Sequence, residues 1–268
     1  MLSQQTSDLL NSLKTNRLYN HSIHHKISKI KYKKLDRILS FLMEQTRVLN
    51  LKNLWSTTYK INLQDNLIEH IIDSITEKDE WAIKIQKSQF MLFIEILNFE
   101  TLYNWINLNQ SNRYLCIPIS FCPEYSTNDN DVQQNDSWHA CTLIFDNALS
   151  EVYFFDPNGK TPYFNCFDDN HIDKLFGNYF KEFELKYQLG FSYIPISQFA
   201  SSTICLNRNF SDDANANNCM IISILLPHFL HLTQHTIYQG IKELTSINNK
   251  DLFHIINSYS FGIYSLNI

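Results

Sequence analysis

Three residues with complementary chemistry occur along the chain in the order histidine, acid, cysteine: His139, Asp156 and Cys219. Nucleophilic catalysis by cysteine needs a thiolate, a base that holds the thiol proton, and a group that orients the base. An imidazole and a carboxylate commonly fill the last two roles. The residue types and their order therefore predict a thiol-protease triad, with Cys219 as nucleophile, His139 as base and Asp156 as the orienting acid.

His139 and Asp156 flank a predicted β-hairpin. The apolar run after His139 and the one before Asp156 are rich in residues that favour strands, and the turn-forming segment 146–151 separates them. If the turn is centred between Asn147 and Ala148, His139 lies directly opposite Asp156, with Cβ atoms about 4.5–5.5 Å apart. A carboxylate at that distance can orient an imidazole, so this register predicts a His139–Asp156 pair.

Cys219 lies where a polar segment changes abruptly into an apolar one. Residues 212–218 are polar and turn-forming, whereas 219–226 are almost entirely apolar. This pattern indicates a loop followed by a buried helix, with Asn217 or Asn218 as N-cap. The first turn of a helix favours a thiolate and offers free N–H groups to an oxyanion. Because free cysteines are more often buried apolar filler, that role is assigned to the other five: Cys116, Cys122, Cys141, Cys166 and Cys205.

The order histidine, acid, cysteine is opposite to the papain order and resembles the clan of ubiquitin-like-protein proteases and adenovirus proteases. In that clan an apolar strand ending near proline precedes the histidine strand, a partner strand ends in the acid, and the cysteine begins the central helix. The matching segments here are residues 113–119, His139, residues 153–156 and Cys219. Upstream, residues 80–84 and 98–100 are similar to the maturation proteases of large DNA viruses, such as the African swine fever virus polyprotein protease.

The sequence departs from the clan pattern around the triad. The clan usually has tryptophan directly after the histidine, glycine directly after the cysteine, and a glutamine shortly before the cysteine that donates to the oxyanion. Here Ala140 follows the histidine, Met220 follows the cysteine, and Asp212 and Asp213 occupy the glutamine positions. A more distant glutamine can serve if the intervening residues form an inserted loop, and nearby asparagines are alternatives. The candidate oxyanion donors are therefore Gln198, Asn215, Asn217 and Asn218.

The pattern of elements and the resemblance together predict an α+β fold. A mixed central sheet flanked by helices is expected to enclose a buried central helix that starts at Cys219. Residues 1–110 are predicted to be a helical N-terminal region, and residues 111–268 the cysteine-peptidase core. Apolar stripes and helix-forming segments predict helices over residues 26–50, 62–76, 99–108 and 236–246.

The resemblance implies a cysteine endopeptidase that processes viral structural polyproteins at small or glycine-rich sites during virion maturation. Two alternatives use the same triad: removal of ubiquitin or a SUMO-like modifier from proteins, and acetyl transfer from coenzyme A. A third alternative is a binding protein that keeps the fold without catalysis.

Composition argues against several other classes of function. A net charge of −5 and a pI near 6.0 argue against a protein that binds nucleic acid over its whole surface. The six cysteines form no CxxC pair and no zinc-ligand spacing, and no GxGxxG or P-loop motif occurs. We therefore expect neither a metal nor a cofactor.

The sequence also bears on partners and location. It contains no apolar run of about 18 residues and does not begin like a signal peptide, so we expect no membrane span and a location in the host cytoplasm or the virion. Between Lys26 and Arg37 lie 6 of the 22 basic residues. A basic helix face of this kind can bind nucleic acid or an acidic partner, or it can simply be solvated.

Overall fold

The structure is a computed structural model that describes residues 54–62, 68–76, 83–88, 91–122, 139–157, 169–195, 198, 218–253, 255–256 and 259. The strands within these residues are β1 (Leu54–Asn62), β2 (Ile68–Thr76), β3 (Ile83–Ser88), β4 (Met91–Leu97), β5 (Tyr114–Cys122), β6 (His139–Asp146), β7 (Glu151–Phe155) and β8 (Ser192–Ile194). The helices are α1 (Phe99–Leu108), α2 (Asp169–Tyr187), α3 (Asn218–Thr233) and α4 (Ile237–Ser246), and residues 249–253, 255–256 and 259 are also helical.

The described strands form one mixed sheet in the order β2-β1-β4-β3-β5-β6-β7-β8. The pairs β3–β5 and β7–β8 are parallel, and the other neighbouring pairs are antiparallel. The predicted α+β class with a mixed sheet is therefore confirmed. Since β3 pairs with β5, strands from both sides of the boundary predicted at residue 110 belong to the same sheet.

The helix predicted over residues 62–76 is wrong, because Ile68–Thr76 form strand β2, antiparallel to β1. Isoleucines at 68, 71, 72 and 75 fit a helical stripe, but β-branched side chains also favour strands. Pairing with β1 provides partners for the backbone groups of the segment, which decides in favour of the strand. The region that was predicted to be helical thus contains strands β1–β4.

Three other predicted elements are confirmed. Helix α1 matches the helix predicted over residues 99–108, α4 matches that over 236–246, and β6 and β7 form the predicted hairpin. The helix predicted over residues 26–50, with its basic cluster between Lys26 and Arg37, lies outside the described residues.

The sheet carries a hydrophobic core on each face. One core packs alternate residues of β6 and β7 against α1 and α2, with Phe145 at ring-centroid distances of 5.9, 5.8 and 5.6 Å from Trp105, Phe180 and Phe191. The other core packs the intervening residues, including Ile144, against α3 and α4. Because successive side chains of a strand point to opposite faces, β6 contributes to both cores. Helix α3 is apolar nearly all round, as expected for a helix buried between a sheet and a second helix.

A polar cluster fixes the end of α3 to the end of β6. The guanidinium of Arg113 binds the fully buried carboxylate of Asp146 through two contacts of 3.2 and 3.1 Å, and it also donates to the carbonyl of Gln234 just after α3. The hydroxyl of Tyr114 donates to the carbonyl of His235. Burial raises the pKa of Tyr114, so this hydroxyl stays protonated and remains a donor. The C-terminal end of α3 is therefore anchored beside Asp146.

Candidate active site

Cys219 lies in the first turn of α3, which begins at Asn218. The helix start predicted from the polar-to-apolar change is therefore confirmed. The thiol is free, and the residue is 8% exposed, compared with 3% for Cys116 and 0% for Cys141. Burial raises the pKa of the Cys116 thiol, which keeps it protonated, as expected of a cysteine that serves as apolar filler.

Two hydrogen bonds fix the N-terminal half of α3 against β6. The Thr142 hydroxyl donates to the carbonyl of Ser223 at 2.8 Å, and the Ser223 hydroxyl donates to the carbonyl of Ala140 at 2.9 Å. Thr142 and Ser223 are both buried, at 3% and 5% exposure. Because Ser223 lies beside the start of β6 and Gln234 lies beside its end, α3 runs in the same direction as β6.

This direction determines which end of the sheet Cys219 approaches. Cys219 precedes Ser223 by four residues, so it lies on the same side of α3 and about 6 Å closer to the N-terminal end of the helix. Ser223 contacts Ala140, the second residue of β6. The first turn of α3 therefore lies at the beginning of β6, where His139 is the first residue.

Asp156 directly follows β7 and is half-buried. The observed register pairs Asp146 with Glu151 and Thr142 with Phe155, so the hairpin is centred between Ala148 and Leu149. The predicted register, with His139 directly opposite Asp156, is therefore wrong by two residues. If the observed pairing is continued by one residue, Asp156 lies opposite Cys141, two positions after His139. His139 and Asp156 are therefore diagonal neighbours.

The correction leaves the three residues at one end of the sheet. The first residue of β6, the residue after β7 and the first turn of α3 are all there: His139, Asp156 and Cys219. In antiparallel pairs, diagonal neighbours have Cα atoms about 7–8 Å apart, which long side chains can bridge. The topology thus brings together the elements that carry the predicted base, acid and nucleophile.

Of the four predicted oxyanion donors, the structure describes two, Asn218 and Gln198. Asn218 is the first residue of α3, next to Cys219 in the chain. Gln198 is exposed, and its backbone N–H donates to the carbonyl of Pro195 at 2.9 Å. Asn215 and Asn217 lie outside the described residues. The backbone N–H groups of the first helical turn are themselves donors that can stabilise an oxyanion.

Sequence reasoning missed Thr142 and Ser223, whose hydrogen bonds attach α3 to β6. A signal for them was present, because each is a hydroxyl-bearing residue inside an otherwise apolar segment. A buried hydroxyl needs a hydrogen-bond partner, so such residues predict a specific contact. Pro227 is a second signal of such a contact, because a proline inside a helix removes the N–H that an earlier carbonyl would accept from.

The described residues contain no group of three or more histidine, cysteine or acidic residues arranged to hold a metal ion. Among the helices that the structure describes, none is long and apolar enough to cross a bilayer. Comparisons of the chain with models of protein families, with curated proteins and with solved structures found no match.

Proposed function

We propose that the chain is a cysteine endopeptidase with Cys219 as nucleophile, His139 as general base and acid, and Asp156 as the group that orients the imidazole. The observation that supports this proposal best is topological. The start of β6, the end of β7 and the first turn of α3 meet at one end of the sheet, and these elements carry the three residues.

The chemistry follows from the residue types. The Cys219 thiolate attacks the carbonyl carbon of the scissile peptide bond while the imidazolium of His139 holds the thiol proton. N–H groups at the start of α3 stabilise the oxyanion of the tetrahedral intermediate. His139 then protonates the leaving amine, and a thioester to Cys219 remains. Water attacks the thioester, His139 takes its proton, and the free thiol returns as the product acid leaves.

The substrate class rests on the resemblance described above. It is a protein or polyprotein cleaved at small or glycine-rich sites, as in the structural polyproteins of large DNA viruses. Glycine-rich sites suit a nucleophile that is only 8% exposed, because a segment without bulky side chains can approach such a thiol closely. Release of a ubiquitin-like modifier, whose tail is also small and glycine-rich, would use the same chemistry.

A second candidate function is binding without catalysis. It is favoured by Met220, where the clan usually has glycine, and by Asp212 and Asp213, where the clan has its oxyanion glutamine. Such a protein would keep the sheet and the buried α3 but would not turn over any peptide.

A peptide-cleavage assay distinguishes these functions. The wild-type chain and the Cys219→Ala variant are incubated with a peptide library that includes glycine-rich sequences, and new termini are identified by mass spectrometry. We expect cleavage by the wild type and a loss of at least about a thousandfold in Cys219→Ala. Cys116→Ala is the matched control, because it removes a buried thiol remote from the first turn of α3 and should keep its activity.

Two outcomes contradict the proposal. Cleavage by Cys219→Ala at the wild-type rate rules out Cys219 as the nucleophile. Absence of cleavage by the wild type on every peptide, together with absence of labelling by a ubiquitin-tail probe, favours the binding protein. A probe that carries an electrophile on a ubiquitin tail tests the remaining alternative, the release of a ubiquitin-like modifier. Labelling of Cys219 by that probe, without peptide cleavage, would assign the chain to the isopeptidases.

A further inference from the structure

Helix α3 contains a backbone carbonyl that the helix itself cannot satisfy. In an α-helix the carbonyl of Ser223 would accept from the N–H of residue 227, and residue 227 is proline. Proline has no N–H, and its ring pushes against the carbonyl four residues earlier. The Ser223 carbonyl therefore needs a donor from outside the helix, because an unpaired carbonyl in a core is costly.

Thr142 supplies that donor. Its hydroxyl, on β6, donates to the Ser223 carbonyl at 2.8 Å, and both residues are more than nine-tenths buried. The Ser223 hydroxyl donates in turn to the Ala140 carbonyl at 2.9 Å. Two hydrogen bonds in opposite directions thus join Ser223 of α3 to the three-residue stretch 140–142 of β6. Such a pair fixes both the height and the rotation of the helix on the strand.

We propose that Thr142, Ser223 and Pro227 form a positioning device for the candidate active site. The device fixes α3 on β6 one helical turn after Cys219, through contacts one and three residues after His139, so it sets the distance between the elements that carry nucleophile and base. Pro227 makes the attachment obligatory, because it leaves the Ser223 carbonyl dependent on the Thr142 hydroxyl. The catalytic part of this inference rests on the proposed function, whereas the coupling of Thr142 to Pro227 does not.

The coupling is measured by thermal unfolding of four proteins: wild type, Thr142→Val, Pro227→Ala and the double variant. Thr142→Val keeps the shape of the side chain but removes the donor, so we expect the melting temperature to fall by about 3–6 °C. Alanine at position 227 restores an N–H to the helix. In that background we therefore expect Thr142→Val to lower the melting temperature by no more than about half as much. Equal losses in the two backgrounds would overturn the device.

The catalytic role is measured as separate kcat and KM values for a cleaved peptide. Displacements of about 1 Å in catalytic groups can cost about a hundredfold in rate, so we expect Thr142→Val to lower kcat by about tenfold or more and KM to change less than about twofold. Thr142→Ser retains the hydroxyl and should restore most of kcat. Ser223→Ala, which removes the other hydrogen bond and keeps the carbonyl, should lower kcat by a smaller factor.

Thr233→Val is the matched control. Thr233 is also buried in α3, and its hydroxyl also donates to a carbonyl, that of Phe229 at 2.8 Å, but it lies at the far end of the helix. We expect its kcat to match the wild type. If Thr142→Val is as active as Thr233→Val while Cys219→Ala is inactive, the positioning role is refuted and the peptidase assignment stands. If Cys219→Ala keeps full activity, the assignment itself fails, and the catalytic role fails with it.

Discussion

The buried ion pair at the opposite end of α3 offers a stability test that is independent of any activity. Asp146 is 0% exposed and accepts three hydrogen bonds: two from the Arg113 guanidinium, at 3.2 and 3.1 Å, and one from the N–H of Ala148 at 3.1 Å. In Asp146→Asn, one of the two oxygens becomes an NH2 group that faces the guanidinium. A donor then opposes a donor, and the Arg113 charge loses its counterion.

The expected cost follows from the burial of the two partners. Removing one partner of a fully buried pair costs about 3–5 kcal/mol. The Arg113 side chain is 22% exposed and can regain some hydration, so we expect Asp146→Asn to lower the free energy of unfolding by about 2–3 kcal/mol. The hydrogen bond that Arg113 donates to Asp146 is the main cause that raises the pKa of Arg113. A raised arginine pKa stabilises the fold at all pH values below the unfolded pKa, so the cost should be constant between pH 6 and 9.

Urea unfolding followed by circular dichroism measures this cost. Asp251→Asn is the matched control, because Asp251 accepts an exposed hydrogen bond from Asn248 at 2.9 Å and lies in the first turn of the helical segment that begins at residue 249. We expect it to cost less than about 0.5 kcal/mol. A loss below about 1 kcal/mol for Asp146→Asn at an unchanged m-value would refute the reasoning, since the attachment of α3 to β6 at this end would then not depend on the carboxylate.

Three further outcomes are expected. Gln188, the residue directly after α2, has φ 53°, so Gln188→Gly should raise the free energy of unfolding by about 0.5–1 kcal/mol, and a lower midpoint in urea would contradict this. Burial first, and then His231, lowers the pKa of His228, whose Nδ1 lies 2.9 Å from the Tyr259 hydroxyl. The unfolded chain therefore takes up this proton at a higher pH than the folded chain, so the stability contributed by His228 falls as the pH drops through about 6.5. In His228→Gln the melting temperature should depend less on pH between pH 7.5 and 5.5 than in the wild type. An equal dependence in the two proteins would exclude the effect. Asp156→Ala should reduce kcat/KM less than Cys219→Ala does, because the acid only orients the base, and equal losses would assign Asp156 a larger role.

Local signals in the sequence predicted the hairpin, helices α1 and α4, and the position of Cys219 in the first turn of α3. Each depends on a pattern within a few residues, such as the polar segment before Cys219 or the turn-forming run between β6 and β7. The prediction failed for β2, because the spacing of Ile68, Ile71, Ile72 and Ile75 fits a helical stripe and the partner strand cannot be read from the segment itself. The outcome there was decided by pairing with β1.

The register error has a different physical origin. A shift of two residues leaves every side chain of a strand on the same face, so the apolar alternation of β6 and β7 is equally consistent with both registers. The observed turn includes Ser150 at φ 53°, and a serine in the sequence does not predict this left-handed conformation. The Thr142–Ser223 contact joins residues 81 positions apart. Sequence patterns over short windows carry no information about such a contact.

The central claim is that His139 activates Cys219, and thiol alkylation tests it most directly. The rate of modification of each cysteine by iodoacetamide at pH 6 is followed by mass spectrometry in the wild type, His139→Ala and Cys219→Ala. We expect Cys219 of the wild type to react at least about tenfold faster than the same thiol in His139→Ala, because the imidazolium stabilises the reactive thiolate. Equal rates at Cys219 in the wild type and His139→Ala would contradict the assignment of the two residues as nucleophile and base.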